Sequence, residues 1–258
     1  MRYSTILLAA SGLIAAALST EARAQRAEDA AEPVAPTAAA PAAAVKSGSG
    51  PTVYLVDKSG KLGTLDLGTR AVHVIGSTGV HLTDIAFSPD HQLYGVSFKN
   101  FYRLDRSTGH ATFVGKLGPN GINALVFDKS GHCFAAAYNS TNLYRIDPAS
   151  GRATVIGPNG KYESAGDLAF FKGLLLLTTS DENVVALNPA TGKAGAVKHD
   201  GIKDLFGLVS PSPNELDGFA FDKVYRYNTA LQKRSSFSFA GKGLGKILGA
   251  AFDGNFGP

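Results

Sequence analysis

The segment YRLDRSTGHATFVG at 102–115 returns forty-two positions later as YRIDPASGRATVIG at 144–157. A self-similarity of this kind means that one small structural unit is built several times over, and the period names the unit. Weaker copies occur around Asp66, Asn188 and Asn228, so the turn residues Asp66, Asp105, Asp147, Asn188 and Asn228 are spaced by 39, 42, 41 and 40 positions. A period near 40 is that of a four-stranded propeller blade.

Each copy has a matching upstream half. The segments 82–87, 122–127, 165–170 and 205–210 correspond to one another and read as innermost strands, each followed by a second, a third and a fourth strand. All are short, rich in β-branched and aromatic residues, and bounded by turn residues. The D-x-x-[ST]-G turn has a local mechanism, since the carboxylate or amide accepts turn N–H groups and the glycine takes the left-handed position. The repeated aspartates therefore read as structural.

The two ends of the repeat region define its closure. Ile247 to Phe252 is a fifth innermost strand with no strands after it, whereas Thr52–Asp57, Leu62–Leu67 and Ala71–Ile75 are second, third and fourth strands with no innermost strand before them. The sequence thus predicts an all-β, five-bladed β-propeller over 51–258, its last blade completed by the N-terminal strands, which leaves only short protected edges.

Ahead of the repeats stand two segments of different character. Residues 1–24 read as a secretory signal peptide: Arg2, an apolar run over 6–18, and Ala22-Arg23-Ala24 as the cleavage site, so that the mature chain starts at Gln25. Residues 25–50 are rich in alanine and proline, lack aromatics, and read as a disordered tether. A periplasmic or secreted location follows, with no membrane insertion after cleavage. A single cysteine, Cys133, excludes an internal disulfide framework, and a net charge of +4 spread along the chain argues against a nucleic-acid partner.

The units LYRIDPASGRATVIG at 143–157 and LTDIAFSPD at 82–90 resemble the repeats of secreted bacterial β-propellers of the YVTN and NHL-like kind. The resemblance extends over 51–258 and implies the fold. Its implication for activity is broad, because such propellers include partner-binding scaffolds, lyases, lactonases and quinone enzymes. Quinoprotein propellers carry a tryptophan in each repeat and plant-type glutaminyl cyclases a tryptophan-rich pocket; this chain has no tryptophan.

Ligands of propellers are expected on the central axis, at the face formed by the loops entering the innermost strands and those joining second to third strands. Strand alternation places Ile85 and Phe87 between blades and turns Asp84 and Ala86 to the axis. The equivalents of Asp84 are Ala124, Asp167, Gly207 and Gly249. A narrow axis explains the small residues sterically but not the two aspartates. One reading has Asp84 and Asp167, with His81, Asn123 and Glu163 from the entering loops, holding the polar end of a ligand, or Asp84 and Asp167 ligating a hard cation such as calcium. In the other, each aspartate caps backbone N–H groups around the channel or holds an ordered water.

The remaining candidates are weaker. Arg103, Arg145 and Arg226 share one position of the third strand and read as structural, pairing with a neighbouring blade. The six histidines show no metal-ligand spacing. Cys133, beside Phe134 and three alanines, reads as a buried apolar thiol. The function expected from the sequence is that of an exported, monomeric, non-catalytic propeller binding a protein, glycan or small ligand at its axial face. The alternative is a small hydrolase or lyase using the axial aspartates with a divalent cation.

Overall fold

The turn residues of the repeat behave as their chemistry dictates. Asp105 Oδ1 accepts the Ser107 and Thr108 amides at 2.7 and 3.1 Å, and Asn188 Oδ1 accepts those of Ala190 and Thr191 at 2.9 and 3.2 Å. Each of these turns joins the third to the fourth strand of a blade. The computed structural model describes residues 50–254 and 257; the predicted signal peptide and all but the last residue of the predicted tether lie outside the described residues.

Twenty strands form five four-stranded antiparallel sheets. The first sheet takes β1 (Thr52–Asp57), β2 (Lys61–Asp66) and β3 (Val72–Ser77). The second is β4 (Asp84–Phe87), β5 (Leu93–Val96), β6 (Asn100–Leu104) and β7 (Ala111–Lys116). The third is β8 (Ile122–Phe127), β9 (Cys133–Ala137), β10 (Ser140–Ile146) and β11 (Ala153–Pro158). The fourth is β12 (Ser164–Phe171), β13 (Leu174–Thr179), β14 (Asn183–Leu187) and β15 (Ala194–His199). The fifth is β16 (Gly207–Ser212), β17 (Glu215–Ala220), β18 (Lys223–Tyr227) and β19 (Lys233–Ser238).

The last strand, β20 (Ile247–Phe252), crosses back to the first sheet and pairs with β1, Val53 opposite Phe252 and Leu55 opposite Ala250. The innermost strands β4, β8, β12, β16 and β20 contact one another in a ring, so the chain is a five-bladed β-propeller closed by strand exchange between its ends. Two innermost strands start two residues later than the sequence expectation, β4 at Asp84 rather than Leu82 and β16 at Gly207 rather than Leu205, because Leu82 and Leu205 turn into the cores between blades one and two and between blades four and five.

The core is not central. Five apolar clusters lie in the seams between neighbouring blades, such as Phe101 and Val96 of blade two against Phe127 and Leu125 of blade three. Each fully buried Leu or Phe in these seams contributes about 1.5–3 kcal/mol.

A second kind of contact joins the rims of the first four blades. The glycine near the end of the fourth strand meets the hairpin turn of the next blade: Gly76 against Thr108–Gly109, Gly115 against Ser150–Gly151, and Gly157 against Thr191–Gly192. A Cβ on Gly115 would stand 1.9 Å from the Ser150 carbonyl oxygen. Both glycines are missing together at the two remaining junctions, where side chains take over. Tyr227 Oη donates to Asp200 Oδ2 at 2.8 Å between blades four and five, and Arg226 Nη2 donates to the Leu67 carbonyl at 2.7 Å between blades five and one.

Candidate functional site

On the axis, the five positions equivalent to Asp84 are all buried against their neighbours, and their sizes follow from the room available. A Cβ on Gly249 would lie 2.6 Å from the Asp84 Cα and 2.7 Å from its Oδ1, and one on Gly207 would lie 2.9 Å from the Ala250 Cβ. Only two sites in the ring carry more than a methyl group, and both are aspartates with no solvent exposure beyond 1 %.

The two aspartates repeat one geometry. Asp84 accepts the amide of its own neighbour Ile85 at Oδ1 (2.8 Å) and that of Leu125, on the next blade, at Oδ2 (2.6 Å). Asp167 accepts Leu168 N–H at Oδ1 (2.6 Å) and Leu208 N–H, again on the next blade, at Oδ2. Each carboxyl group thus ties the innermost strand of its blade to that of the following one.

The two groups also lie close enough across the axis for each to shift the titration of the other. Burial pushes both well above the usual carboxylate range, and at Asp84 the charge of Asp167 adds to the effect. Two carboxylates in so dry a place cannot both ionise cheaply, so the pair retains a proton at pH values where an exposed aspartate has lost it.

The other residues singled out by sequence lie elsewhere. Asn123 is buried in the seam between blades three and four, donating to the Ala165 carbonyl at 3.1 Å. Thr83 makes the equivalent link one blade earlier, to the Ile122 carbonyl at 3.1 Å. His81 is half-buried with Nδ1 3.2 Å from the Lys58 carbonyl oxygen, and the Glu163 side chain is exposed. The structure therefore brings Asp84 and Asp167 together, sets Asn123 in an adjoining seam, and leaves His81 and Glu163 at the surface. Among the described residues, no group of three or more His, Cys, Asp or Glu side chains has the arrangement of a metal site.

The axial cavity runs along the C-terminal halves of the innermost strands, toward the loops that leave them, rather than toward the entering loops. It encloses about 40 Å³ and is walled by residues such as Ala86, Val126, Ala169, Val209 and Ala251. That volume holds a few water molecules at most.

Neither the family models nor the curated proteins contain a match to this sequence. Among solved structures, the crystal structure of a nidogen/laminin complex contains a chain that superposes with a TM-score of 0.57 at 14 % identity, over 81 % of this chain and 83 % of that one. At that identity the likeness concerns the fold, and it agrees with the propeller derived above. The β-propeller is commonly a protein-binding scaffold.

Sequence reasoning passed over one buried charge. Asp217, on β17, is fully buried, and among the described residues neither of its carboxylate oxygens receives a hydrogen bond. The nearest cation is Arg226 Nε, 3.7 Å away, which also lies 3.4 Å from Glu215 Oε1. Burial raises the Asp217 carboxyl to about 7, against the opposing pull of Arg226 and with a smaller push from Glu215. Its legible signal was positional: Asp217 pairs across the ladder with Arg226 where Tyr94 pairs with Arg103 and Phe134 with Arg145. Arg145 stacks on the Phe134 ring at 5.0 Å and Arg226 reaches the next blade, which gives two members of the arginine series structural tasks.

Two histidine–aspartate pairs were also missed, because neither matches a metal spacing. His91 Nδ1 lies 2.7 Å from Asp253 Oδ1, and His132 Nδ1 lies 2.7 Å from Asp128 Oδ2. Cys133 is buried as expected, and burial pushes its thiol well above the ordinary range, away from nucleophilic use.

Proposed function

We propose that this chain is an exported, non-catalytic β-propeller that binds a protein partner through its outer faces. The observation that carries the reading is the use already made of the axial carboxylates: Asp84 and Asp167 each accept two backbone amides, one of them from the next blade. The axis then acts as a closure device. The 40 Å³ beside it is far below the roughly 300–1,000 Å³ typical of a ligand pocket. Recognition then falls to the loops and edges that the five blades present around the ring, the usual arrangement of a propeller scaffold. Export rests on the sequence of residues 1–24.

The alternative, a hydrolase or lyase with a divalent cation such as calcium on the axial pair, draws support from one observation: the two carboxyl groups do converge. The test sets the two against each other. The purified protein is assayed with calcium or magnesium on generic carboxylic and phosphoric esters and on a uronate polysaccharide, and in parallel is photocrosslinked through probes placed on its two faces in envelope extract from its source. A discrete protein adduct from one face with no turnover is expected. Turnover that disappears in Asp84→Asn would overturn the scaffold reading in favour of the enzyme.

A further inference from the structure

A second cavity, of about 390 Å³, lies on blade three and has a different chemistry from the axis. It is lined by His132, Arg145 and Arg152, with Ile146 and Pro148 as an apolar wall and Asp147 also among its lining residues. Its volume falls within the range of small-ligand sites.

The histidine is held by a built support. Asp128, 6 % exposed, accepts the amides of Ser130 and His132 at Oδ1 (2.9 and 2.8 Å) and faces His132 Nδ1 from Oδ2 at 2.7 Å. A carboxylate at that distance keeps the proton on Nδ1, fixes the ring and leaves Nε2 as the ring nitrogen available to a ligand. The turn closes through Gly131 at φ +82°, a left-handed position suited to glycine.

The two arginines complete the set. Among the described residues neither Arg145 nor Arg152 forms an ion pair with a carboxylate within 4.0 Å, whereas Arg106 pairs with Asp253 and Arg226 with Glu215. Arg145 is further restrained by stacking on Phe134. The competing charge is Asp147. Its carboxylate is engaged by the Ser150 hydroxyl (2.6 Å) and the Ala149 amide (3.1 Å), which hold it below the usual range, and it is exposed to solvent.

We propose that this crevice binds a small organic oxyanion, a phosphate or sulfate monoester with a body about the size of a monosaccharide. Two guanidinium forks match the paired oxygens of a tetrahedral anion. With the Nδ1 proton held by Asp128, Nε2 of His132 accepts a hydrogen bond from a hydroxyl of the neutral body, which lies against the wall of Ile146 and Pro148. The other histidine pair lacks this capacity, because its neighbour Arg106 is spent on Asp253, on Tyr54 Oη and on the His91 carbonyl.

The test is a titration of the protein, followed by the His132 ring signals in NMR and by calorimetry, with glucose 6-phosphate, glucose 6-sulfate, inorganic phosphate and plain glucose at matched ionic strength. The expected result is a saturable His132 shift with either sugar ester, a weaker one with inorganic phosphate and none with glucose. Arg152→Gln, an exposed substitution, should weaken sugar-ester binding about tenfold. His132→Gln should weaken it as well while leaving the melting temperature within a few degrees. Equal response to glucose, no saturable shift with the esters, or ester binding indifferent to Arg152→Gln would each overturn the proposal.

Discussion

Asp84 Oδ2 accepts the Leu125 amide at 2.6 Å, a contact across forty-one residues and one blade boundary. Asp167 makes the same contact with Leu208, again forty-one residues on. The three other axial positions, Ala124, Gly207 and Gly249, are too small to do so. The ring is thus stitched at alternate boundaries, from blade two to three and from blade four to five, and the two stitching carboxyls influence each other across the axis.

Asp217 should make stability depend on pH. Its carboxyl titrates at about 7 when folded and near the ordinary 3.8 when unfolded, so the folded state holds the proton more tightly. The associated stability is fully present below pH 4 and is lost as the pH rises through 7, to a total on the order of 4 kcal/mol. The axial pair contributes in the same direction. Asp217→Asn should therefore reduce the fall in denaturant-derived stability between pH 4.5 and 8 without abolishing it. An unchanged slope would remove Asp217 as a source.

Gly115 marks a junction between blades two and three that admits no side chain. Gly115→Ala would force a methyl group to within 1.9 Å of the Ser150 carbonyl unless the rims part, and overpacking of this kind costs about 1–3 kcal/mol. Substituting Ala at Gly195, on the exposed outer strand of blade four where the nearest atom is the Ala186 carbonyl at 3.6 Å, is the matched control and should cost far less. Equal melting temperatures for the two variants would show that the close approach is dispensable.

Deleting 247–258 removes β20 and leaves β1 with an open edge in place of its partners Phe252, Ala251 and Ala250. It also strips the seam between blades five and one of Ile247 and Ala250. Aggregation, or loss of a single cooperative unfolding transition, is expected in size-exclusion chromatography and thermal melting. A monomeric product with the parent's melting curve would contradict closure by strand exchange.

If the chain is exported, its mass reports the cleavage site. The intact mass of the secreted form should correspond to a chain starting at Gln25, and trimming to Pro51 should shift the melting temperature by no more than a degree or two, because residues 25–50 have little to bury. Retention of Met1 in the exported form would contradict the signal-peptide reading.

Fold and site were unequally legible in the sequence. The propeller could be read because each blade repeats the same constraints, an Asx turn, a glycine and an alternating strand, so the match of 102–115 to 144–157 carries through to the geometry. The closure was legible because the incomplete blades at the two ends complement each other. The convergence of Asp84 with Asp167 followed from alternation, but their partners did not, since the Leu125 and Leu208 amides belong to other repeats and backbone donors leave no mark in a sequence. Asp217 and the Asp128–His132 support depart from the repeat, and in the crevice Arg145, a member of the repeated arginine series, is joined by Arg152 where the neighbouring blades carry His110 and Lys193; a reading built on periodicity gives such single-blade departures no weight.

If the axial pair closes the ring while holding a proton in place of a cation, calcium leaves the stability of the fold unchanged. The most direct test is the melting temperature of the parent protein at pH 7.5 in about 5 mM calcium and in chelator. A ligand at 100 times its dissociation constant would stabilise the fold by about 2.7 kcal/mol. For a chain of this length that is a shift of several degrees. Equal melting temperatures in the two solutions are predicted. A rise in calcium that vanishes in Asp84→Asn and in Asp167→Asn would contradict the account and establish the axis as a metal centre.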